Sequence, residues 1–393
     1  MRVALVFHDF YRGESLPLER VILARGLATQ GVEVHVYANP DGRLEPLDGV
    51  EFHDVRPLMR SRGRVGHAVE CGSFAWRATR VLRERRRDYD IIDASGTSSW
   101  EHDVVRVHAV QLAMQRRWPD WGGRDIKAAR LHAAAAPVVR PTVGIARATQ
   151  KLQFRPGRFL RAAAVTELVA DDLVSVFGIP RDLVDVVPYP IEAPGNCAAR
   201  EEFRRQLGLA SHTPLALFVG HDFQRKGLDV AIRALGEAPG EAQLAVVGGG
   251  DGDPFRAEAE RQGLSHRVHF LGPTIDAGPW FAAADVFVLP TREDVWAMVV
   301  IEAMASGLPV ITTAGAGASA VVEESRAGIV VAEPQPAKVA AALTSLLEDG
   351  RQREMMGKHG RLAAERYGEK AHALAMLDVY ERALAARERV RTR

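Results

Sequence analysis

Residues 215–247 read Leu215-Ala-Leu-Phe-Val219, then Gly-His221-Asp-Phe-Gln-Arg225-Lys226-Gly227, then Leu228-Asp-Val-Ala-Ile-Arg-Ala-Leu235. After a break holding Pro and Gly they end in Gln243-Leu-Ala-Val-Val247. A five-residue apolar run bounded by turn residues is the length of a buried strand. The middle stretch repeats apolar residues at helical spacing, and a second apolar run follows it. Two strands joined through a helix lie parallel, because a parallel pair needs a long crossover. This unit decides the fold class, and the same alternation extends from it in both directions.

Downstream, helix 254–262, strand 268–271, strand 286–289, helix 297–306 and strands 309–312 and 328–331 continue the pattern. Helices over 335–348, 351–367 and 369–390 close the chain. Upstream, strands 2–7, 32–37, 90–94 and 183–187 alternate with helices 16–30 and 168–177. Residues 100–165 carry no period clear enough to assign. Alternation of this kind gives parallel sheets with helices on both faces. A Pro-rich break near 188–198 divides it into two doubly wound domains. The expected boundaries are 1–190 and 191–368, with a last helix at 369–393. Ligands of such sheets bind at the carboxyl ends of the strands, so a cleft between the two domains is the expected site.

Composition sets the outer bounds. The chain has 393 residues, 47% hydrophobic and 26% charged, which excludes a disordered or fibrous protein. Cys71 and Cys197 are too few for a disulfide framework, no apolar run spans a bilayer, and no signal peptide is visible. The cytoplasm is therefore the expected compartment. The net charge of +1 is a cancellation: residues 56–161 hold 22 Lys and Arg against 9 acids, and residues 191–370 hold 18 against 24. Arg supplies 45 of the 51 basic residues, so general Arg usage accounts for many of them. The basic stretch, with Arg116-Arg117-Trp118-Pro-Asp-Trp121, suits an anionic acceptor or peripheral contact with an anionic membrane surface. No nucleic-acid-binding motif accompanies it.

Two segments carry chemistry. Lys226 is one of only six lysines in the chain and stands beside Arg225 after an apolar strand. Such a pair suits a diphosphate, Arg as a fork and Lys as a point charge; a solvated loop pair is the plainer alternative. The second segment is Leu289-Pro-Thr-Arg-Glu293-Asp294-Val-Trp-Ala-Met298-Val299-Val-Ile-Glu302, closed by Ser306-Gly307-Leu-Pro309. It places an acidic loop before a helix whose free amides, around Met298 and Val299, form an anion site. Asp294 stands where its carboxylate can accept sugar hydroxyls, or simply cap the helix. Glu302, in an apolar helix, requires a partner and can reach the vicinal hydroxyls of a ribose.

Taken together and in this order, the segments resemble the donor half of retaining, family-4-type glycosyltransferases of the GT-B fold. Leu244-Ala-Val-Val-Gly-Gly-Gly250, His266-Arg-Val-His-Phe-Leu-Gly272 and Phe281-Ala-Ala-Ala-Asp285-Val-Phe-Val-Leu-Pro290 fit the same pattern. The resemblance is strong over 214–332, where it is nearest to bacterial lipopolysaccharide-core glucosyltransferases, and weaker over 1–200. It implies transfer of a hexosyl unit, with retention, from a nucleoside diphosphate sugar (uridine first) to a glycan, glycolipid or small metabolite. By resemblance, Lys226 and Arg225 hold the diphosphate and Asp294 the transferred sugar. Glu302 takes the ribose, and Met298, Val299, Glu293, Pro273 and Thr274 complete the nucleotide site. His108, in Val-Arg-Val-His108-Ala, matches a first-domain His near the reaction centre. No metal or other cofactor is implied, and by resemblance the last helix, 369–393, crosses back to the first domain. An enzyme of this kind is expected in the cytoplasm or peripherally on the inner membrane face.

The chain departs from the family pattern at several points. Asp294 stands where Glu is usual, His221 where Arg is common, and Ala297 where Gly is common; Tyr189-Pro190 replaces Asn-Gly. A first-domain Gly-Gly loop is reduced to Gly13. These departures motivate an alternative, a degenerate homologue that binds nucleotide or a partner without transferring sugar. Asp251-Gly-Asp253 resembles a metal-binding pair of another fold, but it lies in a Gly-rich turn with no further ligands beside it.

Overall fold

The structure, a computed structural model, describes residues 1–8, 15–39, 46–58, 64–117, 148–155, 157–192, 200–238, 240–274 and 276–391. They form two compact units, Met1–Pro190 with Glu369–Arg393, and Ile191–Gly368.

The first unit holds a seven-stranded sheet. Its strands are β1 (Arg2–Phe7), β2 (Glu33–Ala38), β3 (Val50–Asp54), β4 (Ile91–Ser95), β5 (Val104–Val107), β6 (Arg161–Ala164) and β7 (Val184–Val186), in spatial order β3-β2-β1-β4-β5-β6-β7. Every pairing is parallel. Both faces of β1 are buried, as an unbroken apolar run predicts. Val3, Leu5 and Phe7 pack with helices Ser15–Thr29 and Glu369–Arg391, while Ala4 and Val6 pack with Phe74, Ala78 and Leu82 of helix Arg64–Glu84. That split is the two-residue period of a strand seen from both sides.

The last helix belongs to this unit. Its residues Ala373, Met376, Val379, Tyr380 and Ala383 recur every three or four positions, and all lie in the core. Beneath them is a buried polar network. The Tyr380 hydroxyl donates to Asp93 Oδ2 at 2.6 Å, and Arg106 Nε donates to Asp93 Oδ1 at 3.1 Å. Arg106 also pairs closely with Glu19. Burial pushes the Asp93 carboxyl up, although Arg106 and Tyr380 oppose it. Burial acts the same way on Glu19, but there Arg106 and His372 prevail and hold it below the ordinary range.

The second unit holds β8 (Leu215–Val219), β9 (Gln243–Val247), β10 (Val268–Gly272), β11 (Val286–Leu289), β12 (Val310–Thr313) and β13 (Gly328–Val331), in order β10-β9-β8-β11-β12-β13. All pairings are again parallel. The order reverses between β8 and β11, which opens a crevice at their carboxyl ends. The loops leaving those two strands carry the two chemical segments.

The strands expected from the pattern are present with ends shifted by a residue or so. β3, β5 and β6 are additions: Val50–Asp54 is a half-exposed edge, and Val104–Val107 and Arg161–Ala164 fall in the stretch left unassigned. Trp118, Trp121 and Gly13 lie outside the described residues. No helix among those described is long and apolar enough to cross a membrane.

Candidate active site

β8 ends at Val219, and Gly220-His221 leads into a single helical turn, Phe223–Lys226. The turn forms because the Asp222 carboxylate accepts from Arg225 N at 3.3 Å, and it stops at Gly227, whose φ of 80° suits glycine. The result presents Arg225 and Lys226 together at the carboxyl edge of the sheet. The loop after β9 closes over the same edge. A Cβ on Gly248 would lie 1.7 Å from the Gly220 carbonyl oxygen, so this approach requires glycine.

β11 ends at Leu289, and residues 290–297 lead to helix Met298–Ala305. This loop is stitched to the first. Arg225 O accepts from Arg292 N at 2.8 Å and from the Thr291 hydroxyl at 3.1 Å. Arg292 forms a two-pronged pair with Asp229 at 2.9 and 2.7 Å. Asp294 is fixed from behind, its Oδ1 accepting from Ala297 N at 2.9 Å and its backbone held by Gly315 O and Gly317 N. Its Oδ2 makes a close ion pair with Lys226, each side chain only 12% exposed, and lies 3.8 Å from Arg225. Burial alone would raise the Asp294 carboxyl. Lys226, Arg225 and the hydrogen bonds outweigh burial and hold it below the ordinary range. Asp294 is therefore a hydrogen-bond acceptor at neutral pH.

Helix Met298–Ala305 begins without a side-chain cap, behind an Ala297 in the left-handed region at φ 58°, ψ 59°. Its first amides are left for another partner. Glu302, one turn in, is half-buried, and its carboxyl is pushed up to about 7. Burial is the main cause; Lys226 opposes it, while Asp276 and Glu192 add to it. Pro273 and Thr274, exposed after β10, stand on the same edge of the sheet. Thus Arg225, Lys226, Glu293, Asp294, Met298, Val299, Glu302, Pro273 and Thr274 all follow carboxyl ends of strands of one unit. His108 follows β5 in the other unit, stacked on Tyr189 at a ring separation of 5.6 Å. The Asp251 carboxylate accepts from Asp253 N at 3.2 Å, as in a turn.

Residues 199–363 match the family described as glycosyl transferases group 1, and residues 20–193 match glycosyltransferase family 4. A D-inositol 3-phosphate glycosyltransferase of Xylanimonas cellulosilytica is 34% identical over 412 residues, covering 93% of this chain and 91% of that protein. The chain belongs to the group 1 glycosyl transferases. Its two parallel-sheet units match known GT-B structures. WaaG, a glycosyltransferase involved in lipopolysaccharide biosynthesis, aligns with a TM-score of 0.74 at 22% identity, over 96% of this chain and 98% of that one. HepE of Anabaena, solved with UDP and glucose, aligns with a TM-score of 0.68 at 16% identity, over 96% and 98%.

In this glycosyltransferase several structural residues escaped the sequence reading. Thr291 and Thr313 are fully buried; the Thr291 hydroxyl lies 3.1 Å from Glu293 O within the site loop, and the Thr313 hydroxyl ties β12 to that loop by donating to Thr291 O. Gly317 passes so near Val295 that a Cβ would lie 1.8 Å from its carbonyl oxygen. The run Thr312-Thr-Ala-Gly-Ala-Gly317 was a visible signal of such an approach. Of the described arginines in the basic stretch, Arg80, Arg83, Arg85 and Arg86 are paired with Glu84, Glu101, Asp88 and Asp103.

Proposed function

We propose that this glycosyltransferase transfers a hexosyl unit, with retention and without a metal, from a uridine diphosphate sugar to a hydroxyl of an anionic acceptor. One observation carries the donor side: Lys226, Arg225 and the uncapped start of helix Met298–Ala305 converge around an ionised Asp294. Cations and free amides suit a departing diphosphate. A fixed carboxylate suits sugar hydroxyls, and Glu302 suits the ribose diol. In the proposed step the acceptor oxygen bonds to the anomeric carbon while the bond to the phosphate oxygen breaks. The acceptor's proton passes to that phosphate oxygen, and Lys226 and Arg225 offset its charge. Glu293, Met298, Val299, Pro273 and Thr274 complete the proposed nucleotide site, and His108 is assigned to the sugar through resemblance alone.

The UDP bound by HepE favours uridine, and the inositol phosphate in the Xylanimonas relative's name favours an anionic acceptor. The Arg surplus of residues 56–161 accords with such an acceptor, free or carried on an anionic membrane surface. The test is nucleotide release from uridine, guanosine, adenosine and thymidine diphosphate hexoses, with and without inositol phosphates and lipid extracts. Product coupling constants report retention. Absence of turnover with every donor and acceptor, despite tight nucleotide binding, overturns the proposal.

A further inference from the structure

The outer edge of the first sheet carries a second group of chemistry-bearing side chains, unrelated to the donor site. β3 pairs with β2 in parallel, with His35 opposite Glu51 and Tyr37 opposite His53, so all four stand on one face. His35 Nδ1 lies 2.9 Å from His53 Nε2. The Glu51 carboxylate oxygens lie 3.5 Å from His35 Nδ1 and 3.3 Å from His53 Nε2. Two metal–nitrogen bonds of ordinary zinc length set ligand atoms about 3.3 Å apart in a tetrahedral centre. The two nitrogens stand near that spacing, and the carboxylate reaches His35 with Oε2 and His53 with Oε1, so either oxygen can supply the third ligand atom. Among the described residues this is the one group of three His, Cys, Asp or Glu side chains with that spacing.

The surroundings hold the ligand atoms in place. His35 is buried, and its other ring nitrogen, Nε2, faces Glu33 Oε1 at 3.2 Å. Arg2 holds Glu33 in turn at 2.7 Å. A carboxylate behind a histidine fixes its tautomer and leaves a lone pair on the inner nitrogen. The His53 ring stacks on Tyr37 at 4.4 Å, and the Tyr37 hydroxyl shares a hydrogen bond with the Tyr89 hydroxyl and accepts one from Arg85. Arg85 also stands 3.4 Å from His53 Nδ1, near enough to donate there. In the metal-free chain the hydrogen between the rings then sits on His53 Nε2 and points at His35 Nδ1.

We propose that a first-row transition-metal ion replaces that hydrogen, bound by His35 Nδ1, His53 Nε2 and Glu51, and clips edge strand β3 to β2. His53 then carries its hydrogen on Nδ1, and Arg85 turns to Asp88 (3.1 Å) and Tyr37. Two imidazoles and one carboxylate select zinc, cobalt or nickel over magnesium and calcium. The site joins the edge strand β3 to β2, so the role proposed for it is structural.

The test uses the whole chain without a polyhistidine tag, stripped with chelator and titrated calorimetrically with Zn(II), with Co(II) as a spectroscopic probe. Expected are one equivalent of zinc at low-micromolar affinity or tighter and the visible absorption of four-coordinate cobalt. A rise in Tm of a few degrees is expected with zinc but not with magnesium. His53→Asn and Glu51→Gln, at partly and largely exposed positions, should each weaken zinc binding at least tenfold while the zinc-free Tm changes little. A wild-type chain that takes up no zinc in this range overturns the proposal. So do variants that bind as the wild type does, since the zinc then sits elsewhere.

Discussion

In the proposed donor site, Glu302 is the residue at which acidity and donor binding are most tightly joined. Its carboxyl is pushed up to about 7, mainly by burial. A ribose diol donates two hydrogen bonds, which only the ionised carboxylate accepts fully. At pH 8 about nine-tenths of the free protein carries that form, and at pH 6 about one-tenth does. Apparent affinity scales with the competent fraction, so the Kd for the sugar nucleotide should rise roughly tenfold between pH 8 and pH 6. Calorimetry with UDP-glucose reads this cleanly, because its diphosphate carries no proton that titrates in the window. Glu302→Gln should bind weakly throughout and show no such slope. Stability should respond in the opposite sense. The folded-state value stands above the unfolded one near 4.3, so folding favours the neutral acid. That contribution is complete below the unfolded value and is lost as pH rises through about 7. Glu302→Gln should therefore raise the Tm at pH 8 by a few degrees and leave it nearly unchanged at pH 4. A Kd flat from pH 6 to 8, or a Gln variant that keeps the slope, refutes this reasoning.

Lys226→Ala should lower turnover at least roughly tenfold in a nucleotide-release assay, since the leaving group loses a charge partner; an unchanged rate shows the site is misplaced. Asp294→Asn frees Lys226 from its close pair, so UDP should bind more tightly by titration while turnover falls. Weaker UDP binding would mean that Asp294 serves chiefly to position the lysine. Ala297→Gly relieves a left-handed alanine, roughly 1 kcal/mol, and after glycine's own entropy cost should raise the Tm by about 1–3 °C in thermal melts; Ala297→Val should lower it. Arg106→Met leaves Glu19 and Asp93 buried without their cation, and denaturant unfolding should show a loss of roughly 3–5 kcal/mol.

The second unit was legible because its strands are short, apolar and evenly spaced, and because the chemistry follows β8 and β11 directly in sequence. Lys226 and Asp294 are 68 residues apart yet meet, since both strands end at the same crevice. The pattern could place both residues on that edge, but it could not say that they pair with each other. The first unit was less open to reading. β5 is four residues long and includes Arg106, a charge that masks the strand signal. Its burial depends on Glu19, Asp93 and Tyr380, separated by 87, 13 and 274 residues, and no local spacing announces such a network. The His35–Glu51–His53 group was hidden for the same reason, because register between two strands brings it together.

The charge distribution has a specific physical meaning in the second unit, the proposed donor side. Each cation of the site is already held by an acid: Arg225 by Asp222, Lys226 by Asp294, Arg292 by Asp229. Free cations crowded at one sheet edge would repel one another and stand disordered. Paired, they are ordered before the donor arrives, which removes part of the entropic cost of assembling a diphosphate site. The pairing also sets a condition. If Lys226 and Asp294 have the roles proposed above, the diphosphate must draw Lys226 from Asp294, and the same exchange releases the carboxylate that the sugar hydroxyls need. Diphosphate and sugar recognition therefore reinforce each other, and a nucleotide lacking its sugar leaves Asp294 stripped of its cation with nothing in return. An acidic unit can thus prefer the intact donor to the spent nucleotide, which is the preference a transferase requires to release its product.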